Sequence, residues 1–257
     1  MNHALVKCLI CNLVYAPSPP DENSLKNAYH VAEYDSSEEA NDAAFSYLKA
    51  VKPFLQTLKT KESALEIGTG TGVFLELLQK EGFKELIGIE PSSAAIAAAP
   101  PSRQIWIRQD IFRSNTFALN SLDFVCCFMT MEHVKDPGIL INEVYSLLKP
   151  GGIFAIVTHD FEAPINKLLG KKSPIIDIEH LQLFSKKSLN TMFNKAGFTK
   201  CSINKFSNSY SILYWLKLTP LPIGFKRLLA KILAIIGFKG LKITLDVGNL
   251  MAIGKKN

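Results

Sequence analysis

The sequence predicts an α/β domain built on a mostly parallel sheet, and three observations predict it. Short apolar runs alternate with helix-period stretches from residue 63 onward, the pattern of βαβ units. A loop of alternating glycines, Gly68-Thr69-Gly70-Thr71-Gly72, stands where the first apolar run gives way to the first helix. The balance of 47% hydrophobic and 20% charged residues over 257 positions is that of a globular chain with an ample core, and it excludes disorder as the dominant state.

Residues 1–62 read as a preface to that domain. They carry Cys8 and Cys11, a turn-prone Pro17-Ser18-Pro19-Pro20-Asp21 run, and a helical stretch over 38–59 interrupted near Pro53. The domain proper, 63–257, begins with a strand at 64–68 and a helix at 71–80 that Gly82 stops. A second strand at 85–90 leads through Pro91-Ser92 into a helix at 92–99. Runs rich in β-branched and aromatic residues predict strands at 104–108, 122–128 and 153–158. Between the last two lies an amphipathic helix at 136–148, ended by Lys149-Pro150-Gly151-Gly152. A helix at 185–196 stops at Gly197, and strands at 200–206 and 242–252 bring the number to about seven. The stretch between those two strands, 209–241, is an insertion.

Charge is unevenly spread. Residues 205–257 hold nine Lys or Arg against one acid, Asp246, a net +8, which leaves 20 basic against 22 acidic side chains, or −2, for the first 204 residues. No apolar run reaches the roughly 18 residues of a membrane span. Five cysteines are too few and too scattered for a disulfide framework, and with no charged-then-apolar leader at Met1 the expectation is a reducing compartment, the cytoplasm.

The glycine loop selects among nucleotide ligands. Backbone passing beneath a bound nucleoside must come close to it, and glycine allows both the approach and a positive φ. A phosphate-binding P-loop requires a Lys at the end of the loop, and none is present. The dinucleotide fingerprint requires glycine at position 73, where this chain has Val73. Glu90 ends the second strand, placed to accept the two hydroxyls of a ribose, and Asp110 follows the third, placed to meet an adenine amino group. Taken singly, each acid reads equally well as a solvated loop end.

Jointly these residues resemble the class I S-adenosylmethionine-dependent methyltransferases. The matching pieces are Glu66-x-Gly68-x-Gly70-x-Gly72, Glu90, Asp110-Ile111, Leu122-Asp123-Phe124-Val125 leading to Met131-Glu132-His133-Val134, Leu147-Leu148-Lys149-Pro150-Gly151-Gly152, and Glu179-His180-Leu181. The resemblance implies a Rossmann-like seven-stranded sheet, its last strand antiparallel, with helices on both faces and 209–241 as a helical lid. It implies S-adenosylmethionine as the methyl donor. Glu66, Gly68, Thr69, Gly70 and Gly72 would lie along its methionine and ribose. Glu90 with Pro91 would hold the ribose, Asp110 and Ile111 the adenine, and Met129 and Glu132 the floor of the reaction site, while Tyr34 would close over the donor's carboxylate. The N-terminal part is similar to enzymes of this superfamily that carry a zinc ribbon. Here only one cysteine pair stands where four ligands are needed, so a half-ribbon without metal is expected, with His3 or His30 as the candidates to complete it.

Transfer from a sulfonium needs mainly positioning and a suitable field. A hydroxyl acceptor needs a base as well, and neutral imidazole is the natural one near pH 7. His180 is the first candidate, then His133 and His159. For His180 the plainer reading is a loop histidine bonded to a backbone carbonyl, and for His133 a residue that shapes its loop.

In the insertion, Phe225, Leu228, Leu229, Ile232, Leu233 and Ile236 share one helix face, with Lys226, Arg227 and Lys231 off it. The plainer expectation is a lid packed on the enzyme's own core. The sharper one is a peripheral membrane helix or a grip on a lipid-linked acceptor. Cys126, Cys127 and Cys201 fall in predicted strands and read as core fillers. The expected activity is methylation of a hydroxyl or carbon on a small sugar-, polyketide- or isoprenoid-like molecule. The alternatives are an RNA or protein methyltransferase, or a donor-binding module without turnover.

Overall fold

The computed structural model describes residues 4–20, 38–219, 221–238 and 240–257. The chain opens on a hairpin of two short strands, β1 (Val6–Lys7) and β2 (Val14–Tyr15), followed by the helix α1 (Glu38–Leu55). Then come β3 (Ser63–Ile67), α2 (Val73–Lys80), β4 (Glu85–Ile89), α3 (Ser93–Ala98), α4 (Pro101–Gln104) and β5 (Ile107–Arg108). The second half contains β6 (Leu122–Phe128), α5 (Pro137–Leu147), β7 (Leu148–His159), α6 (Pro164–Leu169), β8 (Gln182–Leu183) and α7 (Lys186–Ala196). It closes with β9 (Lys200–Ser211), α8 (Ile212–Leu218), α9 (Ile223–Ile235) and β10 (Lys242–Lys255).

Seven strands form one sheet in the order β5-β4-β3-β6-β7-β10-β9. It is parallel except for β10, which runs antiparallel to both β7 and β9, as the resemblance implied. The alternation of side chains across a strand distributes the core to both faces. On one face Leu65, Ile67, Val125 and Cys127 pack against Ile141 and Val144 of α5 and Phe193 of α7. On the other, Ala64, Phe124, Cys126 and Phe128 pack against Val51 and Leu55 of α1 and Leu75 and Leu78 of α2. Asp123 pins the first strand to the fourth: its carboxylate accepts from the N–H groups of Glu62 and Ser63 at 3.0 Å and from Lys149 Nζ at 2.8 Å. Cys126 and Cys127 are fully buried, and burial pushes both thiols up. Cys201 is half-buried, its thiol raised to about 11 by the same cause.

Three departures from the sequence reading lie near the strand ends and the N-terminal hairpin. The strand expected over 104–108 is only Ile107–Arg108, because Pro101 starts a helical turn and Gln104 Nε2 donates back to the Ala99 carbonyl at 2.8 Å. β7 begins at Leu148, ahead of the Pro-Gly-Gly turn, since Leu148 pairs with Leu122 before the register shifts. A second, antiparallel sheet, β1-β2-β8, joins the N-terminal hairpin to the segment before α7 through Val14 opposite Leu183 and Tyr15 opposite Gln182. The cysteine pair lies in the hairpin's turn, where Cys8 N–H donates to Leu13 O at 2.8 Å. Among the described residues no group of three or more His, Cys, Asp or Glu is placed to hold a metal ion. His3, His30 and Tyr34 lie outside the described residues.

Candidate active site

A cavity of about 710 Å³ opens beyond the carboxyl ends of β3, β4 and β6. The strand order reverses between β3 and β6, so this is the crevice at the topological switch point of the sheet, where open α/β folds bind ligands. Its size suits a ligand of nucleoside dimensions with room for a second molecule.

The glycine loop forms one wall. Gly68 has φ +76° and donates to the Ile89 carbonyl at 2.9 Å, which ties the end of β3 to the end of β4. A Cβ at this position would lie 2.7 Å from Cγ2 and 2.9 Å from Cβ of Thr130, with Oγ1 nearer still. The bare backbone is therefore required by the fold as well as by any ligand. Gly70 N–H donates to Glu90 Oε2 at 2.8 Å and Ser92 N–H to Glu90 Oε1 at 2.9 Å, so both oxygens of this carboxylate are held in place by backbone. Burial raises the Glu90 carboxyl above its ordinary range, while these two donors pull it down. Glu66 lies deeper, its Oε2 accepting from Thr69 Oγ1 at 2.5 Å. Burial is the main cause that lifts its carboxyl to about 8, with the neighbouring charge of Glu90 adding to it and the Thr69 hydroxyl opposing.

Of the residues assigned to the donor from the sequence, Glu66, Gly68, Thr69, Gly70, Glu90, Pro91, Asp110, Ile111 and Met129 line this cavity. Asp110 Oδ1 accepts from Ile111 N–H at 2.8 Å, which fixes the carboxylate at the cavity wall. Gly72 and Glu132 do not line it. Gly72, with φ +70°, is the N-cap residue that turns the chain into α2. Glu132 points inward: its Oε1 accepts from His159 N–H at 2.6 Å and its backbone carbonyl accepts from Leu181 N–H at 2.8 Å. It joins the ends of β6 and β7 to the segment leading into β8, and burial raises its carboxyl to about 7.

The three candidate histidines are brought together. The rings of His133 and His180 stand 5.0 Å apart and those of His180 and His159 5.4 Å apart. Each Nδ1 faces an oxygen: Glu179 O at 3.0 Å for His133, Ile175 O at 2.8 Å for His180 and Asn249 Oδ1 at 2.9 Å for His159. The Glu179 carbonyl only accepts, so Nδ1 of His133 carries the proton and the lone pair of its neutral ring is at Nε2. Burial lowers His133 and His159 to about 4, and the mutual field of the cluster contributes, so both rings are neutral at physiological pH. Of the three, only His133 reaches the cavity wall; His180 meets it edge-on and His159 lies beyond His180, its ring tilted.

Sequence reasoning missed the contribution of α1. α1 lines the cavity with Ala40, Ala43, Ala44 and Tyr47, and Tyr47 stacks on Phe128 at 4.3 Å between ring centroids. Small residues at helical spacing were the available signal, but nothing local says what they face. Met129 holds φ +52°, a left-handed conformation that costs a non-glycine residue on the order of 1 kcal/mol and is characteristic of functional sites.

The family model described as a methyltransferase domain matches residues 38–203, which contain α1, the glycine loop, Glu90, Asp110 and the histidine cluster. A ubiquinone biosynthesis O-methyltransferase of Coxiella burnetii is 32% identical over 122 residues, 44% of this chain and 51% of that protein. One of Histophilus somni is 26% identical over 123 residues, 43% of this chain and 51% of that protein. The chain thus spans about half the length of these curated relatives. A structure from Thermotoga maritima, described as an S-adenosylmethionine-dependent methyltransferase and possible histamine N-methyltransferase, superposes with a TM-score of 0.56 at 20% identity, over 91% of this chain and 95% of that one. With most of its length matched by the family model and its sheet and switch-point crevice arranged accordingly, this chain belongs to the methyltransferase-domain family and has the fold of the class I S-adenosylmethionine-dependent methyltransferases.

Proposed function

We propose that this chain is an S-adenosylmethionine-dependent methyltransferase acting on a hydroxyl of a small, largely apolar organic acceptor. The observation that carries the acceptor chemistry is His133, a neutral imidazole at the cavity wall whose Nδ1 proton is engaged by the Glu179 carbonyl. The donor, when bound, supplies a methyl group on a sulfonium whose departure leaves a neutral thioether. What remains for the protein is to hold the two reactants in line and to receive one proton. Glu90 and Asp110 hold a nucleoside at its sugar and base. Gly68 and Gly70 let it lie against backbone, and His133 Nε2 takes the proton as the new O–C bond forms. His180, first choice on sequence, stands behind His133 and keeps its ring in place. The naming of the relatives as O-methyltransferases supports oxygen over carbon as the acceptor atom. The apolar share of the cavity lining, Ile139, Leu140 and Phe112 among it, favours a ring or isoprenoid body over a sugar.

The test is transfer of labelled methyl from the donor to a panel of phenols, hydroxylated quinol precursors and isoprenoid alcohols, with the products resolved by mass. His133→Ala should lower turnover by roughly a hundredfold or more while calorimetry shows unchanged donor affinity. Label found only in RNA or protein, or an undiminished turnover in the variant, refutes the proposal.

A further inference from the structure

We propose that the α8–α9 hairpin docks the enzyme on the surface of an anionic bilayer, with its apolar stripe in the acyl boundary and its basic residues among the headgroups. Position is the first observation. Asn249 of β10 pairs with His159, the last residue of β7, whereas residues 242–245 pair only with 208–211 of β9. The β9–β10 pair therefore runs past the carboxyl end of β7 and carries α8 and α9 on the side of the sheet where the cavity opens.

The second observation is the face itself. A lid packed on the enzyme's core would bury its apolar stripe, yet α9 has no buried residue. Leu229 and Leu233 are half-covered, while Phe225, Leu228, Ile232 and Ile235 are 48%, 53%, 44% and 84% exposed. These four follow helical spacing and form one outward stripe. Leu218, Ile223, Ile236, Phe238 and Leu241 extend it on the flanking turns, all exposed. The base of the hairpin is firm: Trp215 Nε1 donates to the Ile243 carbonyl at 2.8 Å, and Tyr210, Tyr214 and Trp215 pack on one another with centroids 4.6 to 6.1 Å apart.

Charge decides the occupant. Residues 209–241 contain five Lys or Arg and no acid. Arg227 and Lys231, one turn apart and exposed, border the outward stripe, the arrangement in which long basic side chains reach headgroups while apolar neighbours enter the boundary. A second copy on the same face would bring these like charges together with no carboxylate in the segment to offset them. A nucleic acid would satisfy the cations and leave the apolar stripe uncovered. An anionic bilayer satisfies both.

The experiment is sedimentation of the full chain with extruded vesicles of phosphatidylcholine alone or of phosphatidylcholine and phosphatidylglycerol in equal parts. Binding to the anionic vesicles at low salt is expected, fading as the screening length falls from ~30 Å to below ~10 Å. Arg227→Glu/Lys231→Glu should weaken partitioning at least tenfold, since each basic residue near such a surface contributes roughly fivefold. Leu228→Asp/Ile232→Asp should abolish it. Circular dichroism and donor affinity serve as fold controls, and the charge variant, which touches no packed residue, decides the matter if the apolar one fails to fold. A chain that stays in the supernatant with anionic vesicles at low salt, or partitioning that neither variant alters, overturns the proposal. So does a solution dimer that Ile232→Asp splits in the absence of vesicle binding. Because donor affinity is read separately, these outcomes leave the catalytic proposal standing or falling on its own test.

Discussion

Replacing Gly68 by alanine tests the donor site where backbone and cavity meet. Two costs are readable from the structure. An alanine held at φ +76° loses about 1–2 kcal/mol relative to glycine. Its Cβ would also stand 2.7 Å from Thr130 Cγ2 and 2.9 Å from Thr130 Cβ, an overpacking that costs about 1–3 kcal/mol in a close-packed site. The sum, about 2–5 kcal/mol, is below the stability of an ordinary domain, so the variant should fold but melt roughly 5–15 °C lower. Relief requires Thr130 to move, and Thr130 lines the cavity and donates to the Phe128 carbonyl at 3.0 Å. Part of the cost therefore falls on the donor, whose affinity by calorimetry should weaken about tenfold or more, tenfold for each 1.4 kcal/mol. Gly68→Ala combined with Thr130→Ala, which removes Oγ1 and Cγ2 but keeps the Cβ 2.9 Å away, should recover part of the steric share and leave the backbone share. Wild-type melting and donor affinity in the single variant, or no recovery in the double, would refute the reasoning.

Two further outcomes follow from the buried ionisable groups. Glu66 binds its proton far more tightly in the folded chain, about 8 against an ordinary 4.5, so the stability it lends is full below pH 4.5 and is lost as pH rises through about 8. Glu66→Gln should therefore melt close to wild type at pH 5 and above it at pH 9, and equal melting temperatures across that range would contradict the assignment. If His133 receives the proton, the acid limb of kcat should lie near pH 4, where its ring protonates, and not near the ordinary 6.5. A limb at 6.5 in the pH–rate profile would point to another base.

How much of this was legible in the sequence depends on the range of the forces involved. β6 was placed at its observed bounds and α7 to within one residue, because a continuous apolar run and a Ser-to-Gly framed helix are local signals. The cavity wall that holds Gly68, Gly70, Glu90 and Asp110 was legible for the same reason, since these residues sit at fixed offsets from strand ends. The histidine side was not. Its histidines come from residues 133, 159 and 180, and only tertiary packing decides that His133 faces the cavity while His180 stands behind it. Two-residue strands such as β1, β2 and β8 carry no periodicity, so their sheet could not be read from pattern. The amphipathic pattern of α9 was visible, but periodicity alone does not distinguish an apolar face that meets the core from one that meets solvent.

The small three-stranded sheet bears on how such a chain can diversify. Its strand β8 lies just after His180, and the same segment bonds to Glu132 through Leu181. Residues 4–20 thereby brace the histidine side of the crevice, and none of them lines the wall built by the glycine loop and Glu90. Exchange of that brace between homologues would alter which molecules are methylated while the coenzyme grip is inherited intact.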